Sequence, residues 1–217
     1  MINWDEFEHI HVIRKLKQIL ASWWNVDTIF TDERGYLKVF DKVKMTYANP
    51  GCAYLMQKDS AVDNLAEVVS KTLEDLRLSE NRYSIRKWDL AGFDVGIFPI
   101  WIDNDLVGAV VGLGFFKDFT PARATEVRER LAAFGASNEV IELTLAKSRT
   151  LDEDARAKFV SLVELTSQEI VTLHVEITQR EDRIRELNKE LGSRYKYDSM
   201  IGKSKPMQAL YSLLDKI

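Results

Sequence analysis

Val163, Ile170, Ile177, Ile184 and Leu191 stand seven residues apart, with Phe159, Leu173 and Leu187 at companion positions of the same repeat. A stripe of that period needs one long helix, and something must cover its narrow apolar seam. Branched residues at one position set with leucine at the other favour a parallel pair of helices over three or four. The alternative cover is the chain itself, with a single long helix lying on its own domain. Polar residues surround the stripe from Thr178 to Glu190, which fits a partner helix better than a broad core. The expectation is a parallel homodimer whose contacts are Val163, Ile170, Leu173, Ile177, Ile184, Leu187 and Leu191. Thr166 and Arg180 interrupt the leucine positions, and Glu176 and Glu181 would meet their like across the interface. Each defect costs a few tenths to about 1 kcal/mol, weak enough for a linker that a ligand re-weights between two arrangements.

Ahead of the stripe the periodicity alternates between helix and strand. Phe7, Ile10, Ile13, Leu16, Leu20 and Trp23 predict a helix over about 5–24. Val26–Thr31 and Tyr36–Phe40 read as a hairpin turned at Asp32-Glu33-Arg34-Gly35. After the turn signal Asn49-Pro50-Gly51 comes a segment around Cys52, Leu55 and Met56, then a helix near 61–78. Tyr83–Trp88, Phe93–Ile102 and Leu106–Phe116 read as strands, the last two joined at Asp103-Asn104-Asp105. Strict alternation puts Gly108, Gly112 and Gly114 on one face, bare for the close approach of a helix or a ligand. From Pro121 the signal is helical only, with a break at Gly135, a second helix over 137–147 and a long one from about Asp152. The fold class is α+β, an antiparallel sheet with packed helices followed by a helical extension and the coiled-coil linker. The expected divisions are 1–119 for the sheet portion, 120–150 for its helical tail, 151–192 for the dimerisation helix and 193–217 for a further start.

Composition excludes several classes. With 46% hydrophobic and 29% charged residues in 217, the chain can bury a real core. A net charge of −4 with no basic stripe argues against direct nucleic-acid contact. One cysteine allows no internal disulfide, and no run reaches the roughly 18 to 20 apolar residues that a membrane helix needs. A reducing cytoplasm is the expected compartment. Gly202-Lys203-Ser204 copies the end of a phosphate-binding loop, but the glycine required five residues earlier is Tyr197. A loop leading to a helix capped by Ser204, with Pro206 in its first turn, is the simpler reading. No nucleophile, base and orienting group can be named together; His174 lacks the acidic neighbour and proline expected of a phosphoacceptor, and no catalytic or metal-binding residue is assigned.

Gly92-Phe93-Asp94-Val95-Gly96-Ile97-Phe98-Pro99-Ile100, with Asp103-Asn104-Asp105-Leu106-Val107-Gly108 and the glycine-rich strand, is similar to the PocR-type sensory domains, PAS/GAF-like modules of bacterial signalling proteins. The helices around 121–147 and 150–170 resemble the tail of those domains. The resemblance implies a small organic ligand between sheet and helices. Cys52, Tyr83, Trp88, Phe98 and Trp101 are the foremost candidate lining residues, with Trp23, Trp24 and Tyr54 beside them and Arg86 or Asp89 as polar anchors. That family often carries several cysteines; here only Cys52 matches, so no thiolate metal site is expected.

The last stretch, Tyr195–Ile217, resembles the opening segment of the AAA+ ATPase domain of sigma-54-dependent transcriptional activators through Ile201, Gly202, Ser204, Met207 and Gln208. That resemblance implies a sensory and dimerising input module, truncated at the start of its own AAA+ domain, with sigma-54 RNA polymerase reached only through that missing part. ATPase activity is expected there and not in this chain. The competing readings are a ligand-free structural dimerisation module and the input domain of another signalling protein such as a sensor kinase.

Overall fold

The computed structural model describes residues 11–38, 47–194 and 204–214. The expected helix start over 5–10, the strand end at 39–40 and the loop through Tyr197 and Gly202 lie outside the described residues. The described elements are α1 (His11–Trp24), β1 (Asp27–Asp32), β2 (Leu37–Lys38), α2 (Pro50–Leu55), α3 (Asp59–Arg77), β3 (Ser84–Trp88), β4 (Phe93–Ile102), β5 (Asp105–Phe116), α4 (Pro121–Ala133), α5 (Asn138–Lys147), β6 (Arg149–Thr150), α6 (Glu153–Arg194) and α7 (Lys205–Leu214). The fold is α+β. Its strands follow the order β2-β1-β5-β4-β3, each neighbour antiparallel, and β6 adds a two-residue parallel pairing at the end of β5.

Local chemistry sets the corners. Asp103 and Asn104 take positive φ of 49° and 68° between β4 and β5, the two-residue turn whose twist suits a tight hairpin. Asp32 accepts the N–H groups of Arg34 and Tyr36 at 3.0 Å each, holding the β1–β2 turn around Gly35. Asn49 caps α2 by accepting from Gly51 and Cys52, and Pro50 fills the first turn. That short helix stands where the sequence reading placed only a turn, although a cap followed by proline is a helix-start signal.

The chain divides into one unit over Met1–Thr172 and a second over Leu173–Ile217. In the first, one sheet face carries the larger core: Leu55, Leu65, Leu73, Trp88, Phe93, Val95, Val111, Leu113, Phe116, Val127, Leu131 and Ile141 pack together under α2 to α5. The opposite face meets Phe159 of α6, whose ring lies against Phe98, Phe115 and Trp24 at centroid distances of 5.7, 5.5 and 6.2 Å. A Cβ on Gly112 would stand 2.7 Å from that ring, so the bare strand position admits a helix, as expected. Gly114 departs from the alternation. It has a φ of +86°, and its missing side chain would point at Asn49 and Cys52 on the other face. The β4–β5 register slips by one residue there, a bulge that reverses the facing of Phe115 and Phe116.

The heptad stripe is split by the same packing. Phe159, Val163, Thr166 and Ile170 are buried in the chain's own first unit. Val163 and Ile170, expected in a seam between chains, are therefore already covered and have no surface left for a partner. Leu173 and Ile177 are half-buried, Ile184 and Leu187 are 59% and 42% exposed, and the side chain of Leu191 lies outside the described residues. In the second unit, α7 begins after Ser204, whose carbonyl accepts from the Gln208 N–H at 3.0 Å.

Candidate functional site

An open groove of about 780 Å³ runs between α6 and the outer end of β4 within the first unit. Its floor is Leu76, Phe98, Pro99, Ile100 and Trp101, and one rim is the turn Ser79–Arg82 that follows α3. The other wall is a single face of α6: Glu164, Ser167, Gln168, Val171 and Thr172 recur at three- and four-residue steps and so project together. This stripe lies beside the buried one of Phe159, Val163, Thr166 and Ile170. Tyr83 stacks on Phe98 with ring centroids 5.2 Å apart and planes 17° from parallel, so it buttresses the floor from behind β3's first residue.

Of the foremost lining residues read from the sequence, Phe98 and Trp101 reach this groove and Tyr83 supports it. Cys52 and Trp88 do not. Both are fully buried in the core on the opposite sheet face. The Trp88 Nε1 donates to the Asn64 Oδ1 at 2.9 Å and is satisfied there. Burial pushes the Cys52 thiol well up, and the charge of Asp27 adds to this, which makes it a packing residue and not a nucleophile. Trp24 is held against Phe159, Trp23 is 63% exposed, and the Tyr54 hydroxyl donates to the Phe134 carbonyl at 2.8 Å. Arg86 pairs with Asp75 at 2.6 Å, and Asp89 lies 3.5 Å from Lys87. None of these lines the groove.

The α6 wall was missed because polar residues at helical spacing ordinarily mark a solvated face. The available signal was adjacency: a polar stripe at helical spacing next to the apolar stripe of Phe159, Val163 and Ile170.

A second polar cluster joins the layers. Asp27 is 6% exposed, and its carboxylate accepts the N–H of Ala48 at 2.6 Å and of Asn49 at 3.1 Å. The Asn49 Nδ2 donates to the Gly114 carbonyl and the Ser148 Oγ at 3.2 and 3.1 Å. Asp27 and Asn49 together thus tie β1, the α2 cap, the β5 bulge and the end of α5. Burial raises the Asp27 carboxyl to about 7, against the two N–H donors and the Lys17 charge, which pull it down. The Tyr47 hydroxyl is pushed up by burial first, then by the charges of Asp27 and Cys52.

Among the described residues no helix is long and apolar enough to cross a membrane. No protein-family model, curated protein or solved structure matches the chain.

Proposed function

We propose that this chain is a cytoplasmic signal-sensing and dimerising module, PAS/GAF-like and PocR-type, of a sigma-54-dependent transcriptional regulator. It binds a small organic ligand and controls an AAA+ ATPase domain that continues its sequence. The observation that carries this reading is the position of the groove. Its wall is α6 from Glu164 to Thr172, and the apolar stripe of that same helix leaves burial in the next turn, at Leu173. An occupant therefore touches the helix whose continuation offers the half-buried Ile177 and the exposed Ile184 and Leu187 to a second copy. A parallel two-stranded seam starting at Leu173 is shorter than the one over 159–191 and correspondingly weaker, which suits a linker biased by a ligand. The packed core around Trp88 and Cys52 leaves that side of the sheet filled, so the sensory reading rests on the α6 side alone.

Sedimentation equilibrium tests the linker. The wild-type chain is expected to be a dimer, and Ile184→Asp with Leu187→Asp to be a monomer that keeps the native tryptophan fluorescence of the sheet portion; a wild-type monomer at high concentration overturns the proposal. The regulator assignment is tested by the reading frame beyond Ile217, where a glycine-rich loop of the G-E-S-G-x-G-K type is expected and an unrelated domain refutes it.

A further inference from the structure

Three charged side chains line the groove, Glu80 and Arg82 on the rim and Glu164 on α6. Among the described residues none of them has an ion-pair partner. Their surroundings behave differently: Arg86 is paired with Asp75, Lys87 with Glu126, Arg123 with Asp94 and Arg128 with Glu142. Trp101 lies in the same groove with 40% of its surface exposed. A tryptophan and two unpaired carboxylates lining one groove suit an ammonium group, by the ring quadrupole and by charge together. A free guanidinium with the side-chain amides of Asn81 and Gln168 attracts a carboxylate.

We propose, on the reading of the groove as the sensory site, that it takes a zwitterion of the α-amino-acid class with an apolar side chain. The ammonium goes to Glu164, Glu80 and the Trp101 face, the carboxylate to Arg82, and the side chain to the floor at Phe98. Ligands of one charge fit less well. A plain carboxylate meets two uncompensated carboxylates, and a plain amine leaves Arg82 beside a second positive charge. The volume lies within the range of small-molecule sites. Because Glu164 is on α6, the ammonium is read by the helix that continues into the exposed seam.

Isothermal titration calorimetry with L-phenylalanine, phenethylamine and 3-phenylpropionate separates the two charges. The amino acid is expected to bind most tightly, the amine more weakly, and the acid not at all at millimolar concentration. Glu164→Gln is expected to weaken the amino acid and the amine by about tenfold or more. Arg82→Gln is expected to weaken the amino acid by a similar factor and to leave the amine unchanged or tighter. Both residues lie at the surface of the groove, and circular dichroism checks that each variant folds. Binding of 3-phenylpropionate as tight as that of L-phenylalanine overturns the proposal, as does the absence of binding by all three. Sedimentation of the same samples keeps the two readings apart. A dimer that ignores every probe removes the amino-acid inference and leaves the linker; a monomer that binds L-phenylalanine supports the groove chemistry and removes the linker.

Discussion

Replacing Asp27 with Asn should flatten a pH dependence of stability that the wild-type chain carries. The Asp27 carboxyl titrates near 7 in the fold, against a reference of 3.8, because it is buried on the sheet beneath the α2 cap. Between those two values the folded protein holds a proton that the unfolded chain has released. Stability from this group is therefore full below about pH 4 and is lost as pH rises through about 7. From pH 5 to pH 8 the loss is about 3 kcal/mol, two pH units at about 1.4 kcal/mol each. Asparagine cannot titrate, but its Nδ2 only donates, so Oδ1 can serve one of the Ala48 and Asn49 N–H groups and the other is left unsatisfied at a cost of about 1 to 3 kcal/mol. The variant should thus be the less stable protein at pH 5 and should match or exceed the wild type at pH 8. Urea unfolding of both proteins at pH 5, 6, 7 and 8, followed by tryptophan fluorescence, measures the difference between the two curves. Stability curves that run parallel across that range would refute the argument, because they would mean that Asp27 is charged throughout.

Other perturbations follow from named contacts. Gly112→Ala places a methyl group 2.7 Å from the Phe159 ring, which Trp24, Phe98 and Phe115 hold in place, and should cost about 1 to 3 kcal/mol in thermal or urea unfolding. Arg123→Ala strands the nearly buried Asp94, which keeps only the Lys117 N–H, and should cost about 3 kcal/mol by the same measurement. Arg180→Leu removes an exposed pair with Glu176 at 3.6 Å and completes the companion positions of the seam, so the dimer should tighten by about tenfold in sedimentation equilibrium. If the same variant left the output of the full-length protein unchanged with and without a bound ligand, the proposed re-weighting of the linker would be excluded.

The parts of the fold legible in the sequence were those set by local chemistry. The turn at Asp103-Asn104 and the break at Gly135 with its φ of +82° stand where residue type placed them, and the helix expected over 137–147 runs over Asn138–Lys147 with Ser137 as its cap. Facing beyond a local element was harder to read. Gly114 was assigned by strict alternation, and nothing in the sequence marks the bulge except the glycine itself, which a plain strand also tolerates. Asp27 gave no signal, because an acidic residue at the start of a strand ordinarily points to water. Its burial depends on Asn49, 22 residues later, supplying both an N–H and a cap. The aromatic lining fared by position: Phe98 and Trp101 share the outer end of β4, whereas Trp88 closes β3 on the opposite side of the sheet.

The heptad stripe shows why one periodicity can serve two purposes. A repeat of seven specifies that a helix has a continuous apolar line, and it leaves open what lies against that line. The residues around it decide. Near Phe159 the cover is a sheet face thinned by Gly96 and Gly112, so an aromatic ring can enter and the stripe becomes core. Past Thr172 the same repeat runs on through the half-buried Ile177 and the exposed Ile184 and Leu187 among charged neighbours. Those charges are partnered along the helix, Arg183 with Glu186 and Arg185 with Asp182, an arrangement that keeps the flanks solvated and narrows the apolar line to a width that one further helix can cover. In the proposed reading, a ligand against Glu164 and Gln168 would act where the first regime ends. Moving that wall by a fraction of a turn would change which residues enter the exposed line at Leu173, and a repeat of seven would carry the change to the far end of the helix without any contact between ligand and seam.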